Sequence, residues 1–264
     1  MYRRILVPVQ VPAEVEPLVR FAAQLLEPDG EIRVLHVIPT TTLPQVTREW
    51  RASVNLVVPA HEIGAVLDVK VEPEVRAATD VPGEILESVE THQVDAIVMT
   101  LRGDRRSRNP FVGHTASALL QHAGSEVLIV NRLGLATAAF PRVLLPTFGP
   151  RPPARSLAIA EELSVKAGGV PVITLSLGAG AEEDGVSSGR TSRGVEVVRR
   201  SSPFPSALLG RRRLPETILA AAARERYGLL LVGEEPVAGG SLLTRRFLDA
   251  LFRGAPCPVL AVRS

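Results

Sequence analysis

Much of this chain is written twice. Ile5-Leu6-Val7-Pro8 returns as Val143-Leu144-Leu145-Pro146, and Ile32–Val37 returns as Val170–Leu175, both 138 residues later. Pro82–Leu86 returns as Pro215–Leu219 and Ile97-Val98-Met99 as Leu230-Leu231-Val232, both 133 later, and Ser117–Val130 returns as Asp249–Val262, 132 later. Like segments in unchanged order require a duplicated unit of about 130 residues, the size of an ordinary domain. The offset falls by five between Pro39 and Pro82. The predicted domains are residues 1–133 and 141–264, with Gly134 and Pro141 punctuating a short join. A fold built twice offers two equivalent crevices, and function turns on which of them kept its chemistry.

Each copy alternates short β-branched runs with helical stretches. In the first, Ile5–Val9, Ile32–Ile38, Leu67–Val75, Ala96–Thr100 and Val127–Val130 read as strands, and Glu14–Leu26, Pro82–His92 and Thr115–His122 as helices. Asp80 ahead of Pro82 marks a capped start for the second of these, and Val46–Val58 is a weaker helix pattern because of its β-branched content. In the second copy the strands are Val143–Thr147, Val170–Leu175, Val195–Val198, Leu229–Val232 and Val259–Val262. The helices are Pro153–Lys166, Pro215–Tyr227 and Ser241–Phe252, the last capped by Ser241. Gly178–Gly194 has no apolar period and reads as a mobile loop in place of the second helix, and Ser201–Arg213 is similarly irregular. Near-continuous apolar strands joined by helices predict parallel sheets covered on both faces. In such sheets ligands sit beyond the strands' carboxyl ends, where strand order reverses.

Composition closes off several classes of function. No run of 18 apolar residues is present, so a spanning helix is excluded. The basic start Met1-Tyr2-Arg3-Arg4 is followed by a strand-like run without a cleavage site, which argues against a secretory leader, and the expected compartment is the cytoplasm. The single cysteine, Cys257, lies in an apolar strand and reads as a buried structural thiol. The five histidines lack the helical pairing of a zinc motif, and His36, mid-strand, reads as a hydrogen-bonded core residue. Ser107, Ser117 and Ser241 lack the turn of a hydrolase nucleophile. Lysine occurs only at positions 70 and 166, so arginine carries the positive charge, and the net charge is +2. Arg199-Arg200 and Arg211-Arg212-Arg213 have no interleaved aromatics, and no nucleic-acid partner is expected.

One loop concentrates binding chemistry. After Met99 the first copy reads Thr100-Leu101-Arg102-Gly103-Asp104-Arg105-Arg106-Ser107-Arg108-Asn109-Pro110-Phe111-Val112-Gly113-His114-Thr115 and then continues as helix. Gly103 and Gly113 admit close approach of backbone amides to an anion, which a helix N-terminus favours, and the arginines from Arg102 to Arg108 add charge suited to phosphate. A polar, glycine-bearing loop of this kind also occurs where nothing is bound.

These features together resemble the universal stress proteins: the alternation of elements, the Pro-x-x-Ile-Leu helix start, the apolar fourth strand and the Ala255-Pro256-Cys257-Pro258-Val259-Leu260-Ala261-Val262 ending. The resemblance implies two tandem open parallel five-stranded sheets flanked by helices, of strand order 3-2-1-4-5, related to the adenine-nucleotide α-hydrolases. Its ATP-binding members share Gly, two residues, Gly, nine residues, Gly, then Ser or Thr. Here Thr100 replaces the first glycine, Gly103 and Gly113 keep the spacing, and His114 holds the Ser/Thr place with Thr115 beside it. Gln10 stands where such proteins usually carry an aspartate. Carried over by position, the binding set is Pro8, Val9 and Gln10, Val37 near the base, Met99 at the strand end, and Thr100, Arg102, Gly103, Gly113, His114 and Thr115 around the phosphates.

The second copy departs further. Gly233 is kept, Pro236 replaces the second glycine, Arg245-Arg246 hold the last two places, and Phe148 stands at the position of Gln10. The resemblance therefore implies a non-catalytic regulatory or stress-response protein, with ATP or another adenine nucleotide held by the first copy alone. It also implies an intramolecular pseudo-dimer whose seam is Val127–Val130 and Val259–Val262, with a homodimer as a further assembly. Two other functions remain on the same fold. A nucleotide hydrolase or adenylyl transferase would need Asp104 as a metal-holding carboxylate, and a regulatory module of a membrane transporter would need a separate membrane partner.

Overall fold

The computed structural model describes residues 1–40, 43–101, 113–130, 142–148, 151–177, 187–201, 214–225, 227–234, 236–237, 240–241 and 243–263. The described residues up to Val130 form one compact unit and those from Arg142 onward a second.

In the first unit the elements run β1 (Tyr2–Pro8), α1 (Pro12–Leu25), β2 (Leu26–Pro39), α2 (Leu43–Leu67), β3 (Lys70–Ala78), α3 (Val81–Thr91), β4 (Ala96–Thr100), α4 (His114–His122) and β5 (Glu126–Val130). All strand pairs are parallel, in the order β3-β2-β1-β4-β5. α1 packs on α2 and α3 on α4. Right-handed crossovers put each pair on its own face, because the chain reverses direction across the sheet after β3. Two covered faces explain the unbroken apolar strands: Ile5, Leu6 and Val7 of β1, Ala96 to Met99 of β4 and Val127 to Val130 of β5 are all buried. The ladder of β2 is regular from Glu31, close to the predicted start at Ile32, and register shifts ahead of it between Tyr2 and Arg4 of β1. α2 is a 25-residue helix, almost twice the length of its predicted core. Packing against β3, β2 and α1 outweighs the low helix propensity of its valines.

The second unit repeats this plan with β6 (Val143–Thr147), α5 (Ala154–Lys166), β7 (Val172–Ser176), β8 (Ser187–Arg190), β9 (Glu196–Ser201), α6 (Leu214–Arg224), β10 (Leu229–Gly233), β11 (Pro236–Val237), β12 (Gly240–Ser241), α7 (Arg245–Gly254) and β13 (Val259–Arg263). Its parallel order, β9-β7-β6-β10-β13, is the order of the first unit. Two expectations are corrected. The Gly178–Gly194 stretch is not loop throughout: its residues 187–190 form β8, which adds to the five expected parallel strands by pairing antiparallel with β9 through a turn closed by Gly194 at φ 76°. Ser241 does not cap α7: it pairs with Pro236 in a small hairpin, and the cap is Thr244, whose hydroxyl accepts the Phe247 N–H at 3.3 Å. The remainder of the Gly178–Gly194 stretch, 178–186, lies outside the described residues, as do 202–213.

Among the described residues no helix is long and apolar enough to cross a membrane, and no group of three or more His, Cys, Asp or Glu is placed to hold a metal. Cys257 is buried, and that burial pushes its thiol up to about 11.

Candidate functional site

Strand order reverses between β1 and β4 in the first unit and between β6 and β10 in the second, so the crevice of each unit opens at the carboxyl ends of those strands.

In the first unit β1 ends at Pro8, and Val9 is held by β2 on both sides: its N–H donates to Leu35 O at 2.9 Å and its carbonyl accepts from His36 Nδ1 at 2.9 Å. His36 is thus hydrogen-bonded as its position predicts, with the proton on Nδ1, but it is half-buried and not part of the core. Gln10 is exposed. The N–H groups of Gln10 and Val11 both point at Glu14 Oε2, at 2.8 and 3.3 Å, and the Glu14 N–H returns to Val11 O at 3.0 Å. Glu14 is the third residue of α1 and only 5% exposed. Its carboxylate satisfies two amides that the helix start leaves open, while Pro12 at the first helical position brings no N–H of its own. Sequence reasoning missed Glu14 by starting the helix there. Pro12 was the available signal for a start two residues earlier.

Val37 is buried on β2, and Met99 is buried on β4. The hydroxyl of Thr100 at the end of β4 and that of Ser117 in α4 are both buried and have no hydrogen-bond partner among the described residues. Buried hydroxyls without partners are uncommon and need a cause. Gly113 precedes α4 in extended conformation, φ −74° and ψ −178°, and among the described residues no side chain caps the helix. A β-carbon added at Gly113 would meet nothing within 4 Å among the described residues. His114 is exposed at the first helical position and Thr115 is half-buried beside it. Arg102 and Gly103 lie outside the described residues, as does Asp104. The structure brings Thr100 of β4 and Gly113, His114 and Thr115 of α4 to one side of the switch point, and Pro8, Val9 and Gln10 to the other, with Val37 on the next strand.

The crevice of the second unit is furnished differently. A β-carbon at Gly233, the last residue of β10, would overlap Ser156 Oγ and lie 2.9 Å from Ser156 Cβ and 3.4 Å from Pro153 Cγ. The start of α5 therefore lies directly on the end of β10, and a glycine at 233 is what this packing requires. Thr147 at the end of β6 donates its hydroxyl to Arg151 O at 3.2 Å. The N-terminus of α7 is occupied by the Thr244 hydroxyl, where the matching terminus of α4 has Gly113 and, among the described residues, no side-chain cap.

Two doubly wound α/β units of the same strand order, each with a switch point between its first and fourth strands, define an open α/β protein that carries its fold twice. Residues 1–131 match the universal stress protein family, and the chain belongs to that family through this first unit. A solved structure of a universal stress protein from Archaeoglobus fulgidus superposes with a TM-score of 0.68 at 19% identity, over 98% of this chain and 95% of that one. A functionally unknown protein from Pseudomonas aeruginosa superposes with a TM-score of 0.59 at 13% identity, over 99% and 92%. At these identities the likeness is one of fold. No curated protein matches the sequence.

Proposed function

We propose that the chain is a non-catalytic regulatory protein whose first unit binds an adenine nucleotide, and whose second unit binds none. The observation that carries this reading is the contrast between the two helix starts that follow the fourth strands. Thr244 fills one with its own hydroxyl, while among the described residues the other has a glycine that no side chain caps and two buried hydroxyls, Thr100 and Ser117, without partners. Free N–H groups and the helix dipole at α4 suit a phosphate, and the hydroxyls supply donors to it. Gln10 at the end of β1 offers an amide to a ribose or base without adding charge. A bound nucleotide regulates by favouring one arrangement of the segments it touches over another.

Gly113→Asp tests the site without unfolding it. The aspartate has room among the described residues and caps α4 itself, adding a few tenths of a kcal/mol of stability while placing a negative charge where the phosphate belongs. Calorimetric titration with AMP is expected to show binding by the parent and loss of at least about tenfold in the variant, whose melting temperature stays level or rises. Equal affinity in both proteins would remove the α4 terminus from the site.

A further inference from the structure

One ring nitrogen of the first unit lies between a donor and an acceptor. His92 ends α3, and its Nε2 is 3.3 Å from Arg76 Nη2 and 3.6 Å from Glu74 Oε2, both on β3. A guanidinium only donates, so the shorter contact requires a ring nitrogen without a proton. The longer contact is to a carboxylate oxygen, which only accepts. That oxygen is buried and has no hydrogen-bond partner among the described residues. Arg33 Nη1 of β2 is 3.7 Å from it, beyond hydrogen-bonding reach. A buried acceptor left open beside a titratable nitrogen requires an explanation.

The surroundings hold both partners in place. Arg76 is fixed by Glu74 Oε1 at 2.6 Å and by Glu84 Oε1 of α3 at 2.9 Å, so it keeps two acceptors when the ring is withdrawn. The backbone at the ring is pinned to β1, because Arg4 Nη1 donates to the His92 carbonyl at 3.2 Å and to Gln93 Oε1 at 2.9 Å. His92 lines a cavity of about 350 Å³ with Arg3, Arg4, Asp29 and Glu31, and its side chain is 24% exposed, which gives protons a route to the ring. From β2, Arg33 opposes a charge on the ring and Glu31 favours it; from β3, Arg76 opposes it and Glu74 favours it. His114 and His122, the titratable residues of the neighbouring α4, are both exposed.

We infer that His92 is a two-position pH switch: without its second proton, Nε2 accepts from Arg76, and with it, Nε2 donates to Glu74 Oε2. A movement of a few tenths of an ångström brings the second contact into the range of about 2.7–3.2 Å. The end of α3 thus changes hands between two residues of one strand and stays attached in both states. Protonation also adds a positive charge to the wall of the cavity that Arg3 and Arg4 share. Burial and the two guanidinium groups set the exchange below the ordinary histidine value of about 6.5.

Nitrogen-15 NMR of the full-length protein, with histidine and arginine labelled, follows both partners from pH 8 to pH 5. At pH 8 the neutral His92 ring is expected to carry its proton on Nδ1 and none on Nε2. Acidification is expected to produce an exchange-protected Nε2–H, and to reduce the protection of the Arg76 guanidinium in the same pH step. Glu74→Gln keeps an oxygen for Arg76 and loses the charge, and it is expected to lower the His92 midpoint by about one pH unit. Glu72→Gln, at an acid of the same strand 3.5 Å from Lys70, is expected to leave that midpoint in place. A neutral ring protonated on Nε2 would overturn the switch, as would an Arg76 signal indifferent to the His92 titration. Both are read in the parent and decide the matter even where a variant fails to fold. A midpoint unmoved in folded Glu74→Gln would remove Glu74 as the second partner and overturn the switch as well.

Discussion

A methyl group added at residue 233 has nowhere to go, because Ser156 and Pro153 already fill the space. One added at residue 113 enters open space. Gly233→Ala forces the start of α5 away from β10, and overpacking of this kind costs about 1–3 kcal/mol. Gly113→Ser, at a helix start where serine is a better cap than glycine, is expected to be neutral or stabilising by a few tenths of a kcal/mol. Urea unfolding of the two variants beside the parent checks the pair. A Gly233→Ala variant as stable as the parent would mean that the second crevice is not held shut by this contact.

At the scale of elements, α3 is tied to the sheet by charge. Arg76 of β3 donates to Glu74 at 2.6 Å, to Glu84 near the start of α3 at 2.9 Å, and to Nε2 of His92, the residue that ends α3, at 3.3 Å. A ring nitrogen that accepts from a guanidinium must be unprotonated. Burial, and then the charges of Arg33 and Arg76, hold His92 below its ordinary range against the pull of Glu74 and Glu31. The fold therefore favours the neutral ring. Its contribution is fully present above the unfolded value of about 6.5 and is lost as pH falls through the lower folded value. Urea unfolding from pH 7.5 to 5 is expected to show stability falling in the parent and falling less steeply in His92→Gln; identical slopes would count against the tie.

The same scale shows what the sequence could and could not reveal. The two covered faces followed from apolar runs such as Ala96–Met99, whereas the strand order came from the family resemblance, because an apolar run does not name its neighbour in the sheet. The repeat of β2 was aligned two residues early: Ile5 pairs with Ile32, whereas Val143 pairs with Val172 and not Val170. A shift of two keeps every side chain on its face, so the apolar pattern cannot report it. Ser241 and Thr244 are both good caps by type, and only the β11–β12 pairing decides between them. The place of Gly113 just ahead of α4 was legible from spacing. The Glu14 carboxylate was not, because its role depends on a helix start fixed by Pro12 and on amides that no motif names.

For the whole molecule, binding is expected to be one-sided. A ligand that binds the folded state at a hundred times its Kd stabilises by about 2.7 kcal/mol. Saturating AMP should therefore slow amide hydrogen exchange around the β1–α1 and β4–α4 segments, and leave β6, β10 and α7 unchanged when followed by mass spectrometry. Slowed exchange confined to the second unit would reverse the assignment of the two crevices. The outer strand β8 carries a different consequence. It is four residues long, Ser187-Ser188-Gly189-Arg190, without one apolar side chain, and it shields the Glu196-Val197-Val198 stretch of β9 behind it. A border so short and polar is a poor template for recruiting a neighbouring chain. Deleting it would bare a longer, valine-bearing ribbon, and the shortened protein would then be kept from clumping at high concentration by little more than the arginines that end that ribbon.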